Sequence, residues 1–221
     1  MLQGEHAWLD RRGALYLPEH RLLAVSDLHL EKGAAFARRG VFLPPYDTGA
    51  TLEKLAGLIE FYRPRAVVSL GDSFHDGEGA ACMPDRFRAP LASLMAGRDW
   101  FWISGNHDPN APENLPGETL AALHVGGLTF RHEPTPGLIE GEVAGHLHPC
   151  AKIVARGRGV RRRCFASDGS RLIMPAFGAF TGSLNVLDRA FSGLFRREGF
   201  YAHMMGSARV FPIPRANLVP G

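Results

Sequence analysis

Short apolar runs in this chain end, one after another, at residues able to hold a metal ion or move a proton. Leu22-Leu23-Ala24-Val25-Ser26 stops at Asp27, Ala66-Val67-Val68-Ser69-Leu70 at Gly71-Asp72, and Trp100-Phe101-Trp102-Ile103-Ser104 at Gly105-Asn106-His107-Asp108. Leu128-Thr129-Phe130 leads to His132, and Glu142-Val143-Ala144 leads to Gly145-His146. Runs this short, rich in β-branched and aromatic residues, predict buried strands. Ligands of open α/β sheets bind beyond the carboxyl ends of strands, so these polar residues stand where chemistry is expected.

Between the first two runs, Leu52, Leu55, Ala56, Leu58, Ile59 and Tyr62 keep helical spacing, with Asp47 or Thr48 as the expected cap. A second helix is expected over about Pro84 to Ala96, which Pro90 should kink or shorten. The Gly- and aromatic-rich stretch from Leu172 to Val186 offers further strands. No repeat or interdomain linker interrupts the 221 residues, and 45% of them are hydrophobic. A chain of this size buries roughly 70% of its unfolded surface. The expectation is one α/β domain over residues 1–221, built on sheets. Nothing approaches the ~18 consecutive apolar residues of a membrane span, and the start, MLQGEHAWLDRRG, lacks the apolar core of a signal peptide. Cys82, Cys150 and Cys164 are odd in number with no CxxC spacing, and read as reduced thiols of a cytoplasmic protein.

Asp27-Leu28-His29 puts a carboxylate and an imidazole at i and i+2, which in extended backbone point to one face and can grip one ion. His146-Leu147-His148 repeats that spacing with two imidazoles, and Gly145 before it lets the backbone pass close to a ligand. Taken in order, D-x-H, G-D, G-N-H-D, a lone His and G-H-x-H resemble the motif set of the calcineurin-like metallophosphoesterases. The resemblance implies two mixed β-sheets packed as a sandwich flanked by α-helices, with a two-metal site. On that resemblance Asp27, His29, Asp72 and His148 would hold one ion, and Asp72 would bridge to a second held also by Asn106, His132 and His146.

The chemistry is coherent on its own terms. A carboxylate can span two cations about 3.5–4 Å apart, and two divalent ions facing only Asp27 and Asp72 keep positive charge for a phosphate. Nitrogen and oxygen donors without thiolate favour Mn²⁺, with Zn²⁺ or Fe as alternatives. A hydroxide bridging the ions would attack phosphorus in line. His107, outside the ligand set, would steady the phosphoryl oxygens or protonate the leaving oxygen, oriented by Asp108. His75 falls where the family's G-D-x-x-D motif often has aspartate or asparagine, so it or Asp76 would stand behind the ligands.

The segments Asp27-Leu28-His29-Leu30-Glu31-Lys32-Gly33, Arg38-Arg39-Gly40, Leu43-Pro44, Gly71-Asp72-Ser73-Phe74-His75-Asp76 and Met174 to Gly182 resemble the bacterial ligase-associated DNA-damage-response endonucleases. That branch implies a nuclease working beside an ATP-dependent DNA ligase and a helicase. Net charge is +3, with lysine only at Lys32, Lys54 and Lys152. Arg156, Arg158, Arg161, Arg162 and Arg163 form the one dense cationic cluster, read either as a solvated loop or as a basic wall that gathers nucleic acid. Three functions compete on these grounds: a nuclease or phosphodiesterase for DNA or RNA, a small-molecule phosphoesterase acting on nucleotides, cyclic nucleotides or phosphomonoesters, and a noncatalytic scaffold, against which the full ligand set argues.

Overall fold

The computed structural model describes residues 1–41, 46–110, 112 and 114–221; the Leu43-Pro44 pair of the branch pattern lies outside them. The apolar runs form the middle of a six-stranded sheet. In order these strands are β1 (Trp8–Leu9), β2 (Leu15–Leu17), β3 (Leu22–Val25), β4 (Ala66–Leu70), β5 (Asp99–Ile103) and β6 (Glu118–Leu120). The first three pair antiparallel, and β3 to β6 run parallel, so three of the polar strand ends emerge along one edge.

The second sheet holds β7 (Leu123–Val125), β8 (Leu128–Arg131), β9 (Glu142–Ala144), β10 (Pro149–Ala155), β11 (Arg158–Ser167), β12 (Arg171–Ile173) and β13 (Leu184–Asn185). Its order is β13-β10-β11-β12-β9-β8-β7, and β14 (Tyr201–Met205) and β15 (Val210–Pro214) extend it beside β11. Both sheets mix parallel and antiparallel pairs.

Strand pleating decides what each face buries. Leu22, Ala24, Val68, Leu70 and Ile103 turn toward the second sheet and pack with Leu128, Phe130, Val143, Phe165 and Leu172. Leu23, Val25, Val67, Trp100 and Trp102 face the helices. Those helices are α1 (Lys32–Arg38), α2 (Asp47–Tyr62) and α3 (Asp85–Met95), the latter two contributing Leu52, Leu55, Leu58, Ile59, Leu91 and Met95. A third cluster covers the outer face of the second sheet, where Ala151, Cys164, Ala166 and Ile173 meet Val186, Phe191 and Phe200.

Several local expectations change. The seven-residue α1 carries no long apolar period, and the pattern did not reveal it. Asp47 and Thr48 do not cap α2; Asp47 Oδ2 accepts the Gly33 amide at 2.8 Å and Thr48 Oγ1 accepts the Glu31 amide at 2.8 Å, so both tie down the start of α1. Pro90 lies inside α3, and the helix runs on to Met95 without its amide bond to the preceding turn. Most of Leu172 to Val186 is an irregular strap, with only its two ends in β12 and β13. Among the described residues no helix is long and apolar enough to cross a membrane.

Candidate metal centre

The D-x-H and H-x-H pairs reach their common target by a route the spacing did not suggest. Beyond β3 the chain stops being extended: Asp27 and His29 adopt φ of 53° and 44°, and His146 and His148 adopt 66° and 46°. Alternate left-handed residues bring the side chains to one side of a tight loop, at a cost of about 1–3 kcal/mol per strained residue. Hydrogen bonds to the neighbouring strand end hold the strained loop in place. Asp27 N donates to Gly71 O at 3.3 Å, His29 N to Asp72 O at 2.9 Å and Leu30 N to Ser73 O at 2.9 Å. A Cβ on Gly145 would lie 1.9 Å from Ser26 Oγ and 2.7 Å from Asp27 Oδ2, so glycine is required where the two ligand loops meet.

Two triads result. Donor atoms of Asp27, His29 and His148 lie within 4.8 Å of one another, and so do those of Asp72, His132 and His146. Asp72 is 3% exposed and addresses both: Oδ2 stands 3.9 Å from His29 Nε2, and Oδ1 3.5 Å from His132 Nε2. Asn106 completes the second group, its Oδ1 lying 2.7 Å from His132 Nε2 and 3.2 Å from His146 Nδ1. Every residue in the expected ligand set is therefore brought to one place.

The donor set fits a pair of cations. His132 Nδ1 lies 2.8 Å from the Leu70 carbonyl and donates to it, which leaves a bare lone pair on Nε2. That lone pair faces a carboxylate oxygen, an amide oxygen and His146 Nδ1 at 3.2 Å. Lone pairs crowd together in this way stably when positive charge lies among them. The electrostatics keep His29 and His146 unprotonated. Burial holds His29 down to about 3, and burial also lowers His146. Burial works to raise Asp27, but the hydrogen bond and charge of His148 win, and it ionises below its ordinary range.

The two residues expected to carry chemistry part company. The exposed His107 places Nδ1 3.0 Å from the His75 carbonyl, stacks on the His75 ring at 5.4 Å, and points Nε2 toward the centre, 4.0 Å from Asp72 Oδ2. Asp108 does not orient it. Its Oδ2 accepts the Ser73 and Phe74 amides at 2.7 and 3.0 Å, so it shapes the loop that presents Asp72, and burial pushes its pKa up to about 7. The orienting group is the His75 backbone, which side-chain motifs cannot show. Ser26, whose hydroxyl donates to Asp27 Oδ2, was likewise missed because a lone serine at a strand end has no distinguishing pattern.

The arginine cluster lies on a hairpin rather than a loop. β10 and β11 pair from Cys150↔Arg163 to Ala155↔Arg158, and the two-residue turn Arg156-Gly157 has φ of 50° and 74°, the primed geometry that hairpins favour. Pleating divides the cluster. Arg161 and Arg163 share one face, with Lys152 opposite Arg161, while Arg158 and Arg162 project from the other. Arg163 is engaged within the chain, donating to the carbonyls of Ala176 and Gly178 at 3.0 Å and Thr181 at 3.1 Å. It is a clamp on the strap.

A model of the calcineurin-like phosphoesterase family matches residues 20–164, well over half of the chain. The chain belongs to that family. Among solved structures, the crystal structure of nuclease MPE from Pseudomonas putida matches with a TM-score of 0.72 at 26% identity, covering 96% of this chain and 97% of that one. Comparison with curated proteins returns no match. With the family come the calcineurin-like fold and metal-dependent phosphoester hydrolysis, and the two triads are where this metallophosphoesterase can hold divalent ions.

Proposed function

We propose that the protein is a phosphodiesterase of nucleic acid, a nuclease acting on DNA or RNA in a repair setting. The observation that carries this reading is Asp72, with one oxygen toward each triad, in a chain similar over nearly its whole length to a nuclease. Asp27, His29, Asp72 and His148 would hold one cation, and Asp72, Asn106, His132 and His146 the other. Oxygen and nitrogen donors without a cysteine favour Mn²⁺. When bound, the ions supply activation of water and neutralisation of charge on the phosphoryl oxygens.

The remaining work falls to the chain itself. His107, fixed by the His75 carbonyl, presents Nε2 at the exposed side of the centre, where in its protonated form it can donate to a phosphoryl or leaving oxygen. Asp108 keeps Ser73 and Phe74 in place and with them the direction of Asp72. Lys152 and Arg161, together on one face of the hairpin, offer a two-charge path for a phosphate backbone, with Arg161 steadied by donating to the Ser183 carbonyl at 2.7 Å. An ATP-dependent ligase and a helicase as partners, and a cytoplasmic setting, belong to the same proposal and rest on the branch resemblance.

The test is a Mn²⁺-supplemented comparison of single-stranded DNA, duplex DNA, RNA, 2′,3′-cyclic nucleotides and bis-p-nitrophenyl phosphate. The reading predicts cleavage of a polymer with affinity that falls steeply with salt. Turnover confined to small substrates, without salt dependence, would assign the protein to the small-molecule phosphoesterases.

A further inference from the structure

We infer that Lys54 is a positioning residue for the metal centre, acting on Asp27 through the strap of residues 176–181. The inference rests on Asp27 being a metal ligand. Lys54 lies on α2, outside every motif. Its ammonium sits over the Phe177 ring, 3.6 Å from the centroid, and donates to the Phe177 carbonyl. Among the described residues no carboxylate stands within ion-pair distance of it, and the charge that faces it is another cation, Arg163 on β11. A half-buried ammonium set against a carbonyl, a ring face and a guanidinium is a costly arrangement. Its place behind the strap accounts for it.

The strap is fastened to the loop that carries Asp27. Phe177 N donates to Ser26 O at 2.7 Å, and Gly178 N donates to Asp27 O at 3.1 Å. The approach is close enough that a Cβ on Gly178 would lie 2.3 Å from the Leu28 carbonyl. The strap is in turn held from behind at successive residues: Lys54 takes the Phe177 carbonyl, Thr51 Oγ1 accepts the Ala179 amide at 3.2 Å, and Arg163 takes the carbonyls of Ala176, Gly178 and Thr181. Asp27 has left-handed backbone, a conformation that relaxes unless its surroundings fix it. Lys54 and Arg163 fix the strap, and the strap fixes Asp27.

The experiment titrates Mn²⁺ into metal-stripped full-length protein by calorimetry, alongside thermal melts in EDTA. Lys54→Met keeps the apolar length over Phe177 and removes the donor and charge. It should weaken the tighter Mn²⁺ association roughly 10- to 100-fold, the range seen when supports behind metal ligands are removed, while its melt in EDTA stays equal to or above wild type. Thr51→Val, which nearly keeps side-chain volume and removes the hydrogen bond to the strap together with the one Thr51 donates to the Asp47 carbonyl within α2, should weaken Mn²⁺ in the same direction by less. Asp27→Asn is the control for the underlying reading. If it binds Mn²⁺ like wild type, Asp27 is not a ligand and the inference falls with it. If Asp27→Asn loses metal but Lys54→Met and Thr51→Val bind within twofold of wild type, Lys54 is not a positioning residue. A loss of melting temperature in Lys54→Met that parallels its loss of affinity would make Lys54 structural, which also overturns the inference.

Discussion

The expected metal centre is drawn from short motifs spread along the chain and the arginine hairpin from one tight run of residues, and the structure treats them oppositely. At the centre, candidate ligands from five separate segments converge, because parallel strand ends and left-handed loops leave few directions for a side chain to point. On the hairpin, Arg156 sits in the turn and the four arginines of β11 disperse, because each step along the strand reverses the face. Where backbone strain and cross-strand hydrogen bonds constrain a segment, motif spacing carries over into space. On a regular exposed strand, the pleat separates what the sequence places side by side.

The largest test of that contrast is Asp72→Asn. Replacing the carboxylate that turns one oxygen to each triad should remove metal and lower turnover by at least about a thousandfold, since several kcal/mol of charge stabilisation leave with the ions. Metal analysis beside the rate measurement checks it; retained metal would mean the two triads are independent. His107→Ala should cost about 10²- to 10⁴-fold in kcat while leaving metal content intact. If metal is lost instead, His107 belongs with the ligands and the separation drawn between them is mistaken.

On the hairpin the comparison can be sharpened face against face. Removing Lys152 and Arg161 together should flatten the salt slope of log K for nucleic acid by roughly 0.7–0.9 for each phosphate no longer neutralised. Removing Arg158 and Arg162 together should change it less. Equal effects from the two pairs would restore the single basic wall.

The smallest expected effect is in the pH dependence of stability. Burial first, and then Arg163, bring Lys54 from 10.5 down to about 7. Between those values the unfolded chain holds a proton the folded chain has released, so Lys54 makes stability rise with pH across that window. Lys54→Met should therefore gain most in Tm over wild type at pH 6 and least near pH 10, which a series of melts in EDTA reads directly.

Strand identity was legible because β3, β4 and β5 are short, apolar and largely buried on both faces. The convergence of the candidate ligands was legible because each ends a strand or follows one at short range. What escaped was whatever depends on backbone groups or on remote segments. The support behind His107 is a carbonyl, Asp108 works through amides, Asp47 and Thr48 serve a different helix, and Lys54 acts from α2 on a strap more than a hundred residues away. None of these pairings leaves a spacing in the sequence, since a hydrogen bond to a peptide group asks nothing of the partner's side chain.

The central claim is that the two triads sharing Asp72 make phosphodiester hydrolysis depend on divalent metal. It is tested most directly by titrating Mn²⁺ into metal-stripped protein while following hydrolysis of bis-p-nitrophenyl phosphate and counting bound ions in the same samples. The account predicts no turnover in the stripped protein and a rate that reaches its plateau as the second ion binds; full turnover in the stripped protein would contradict it.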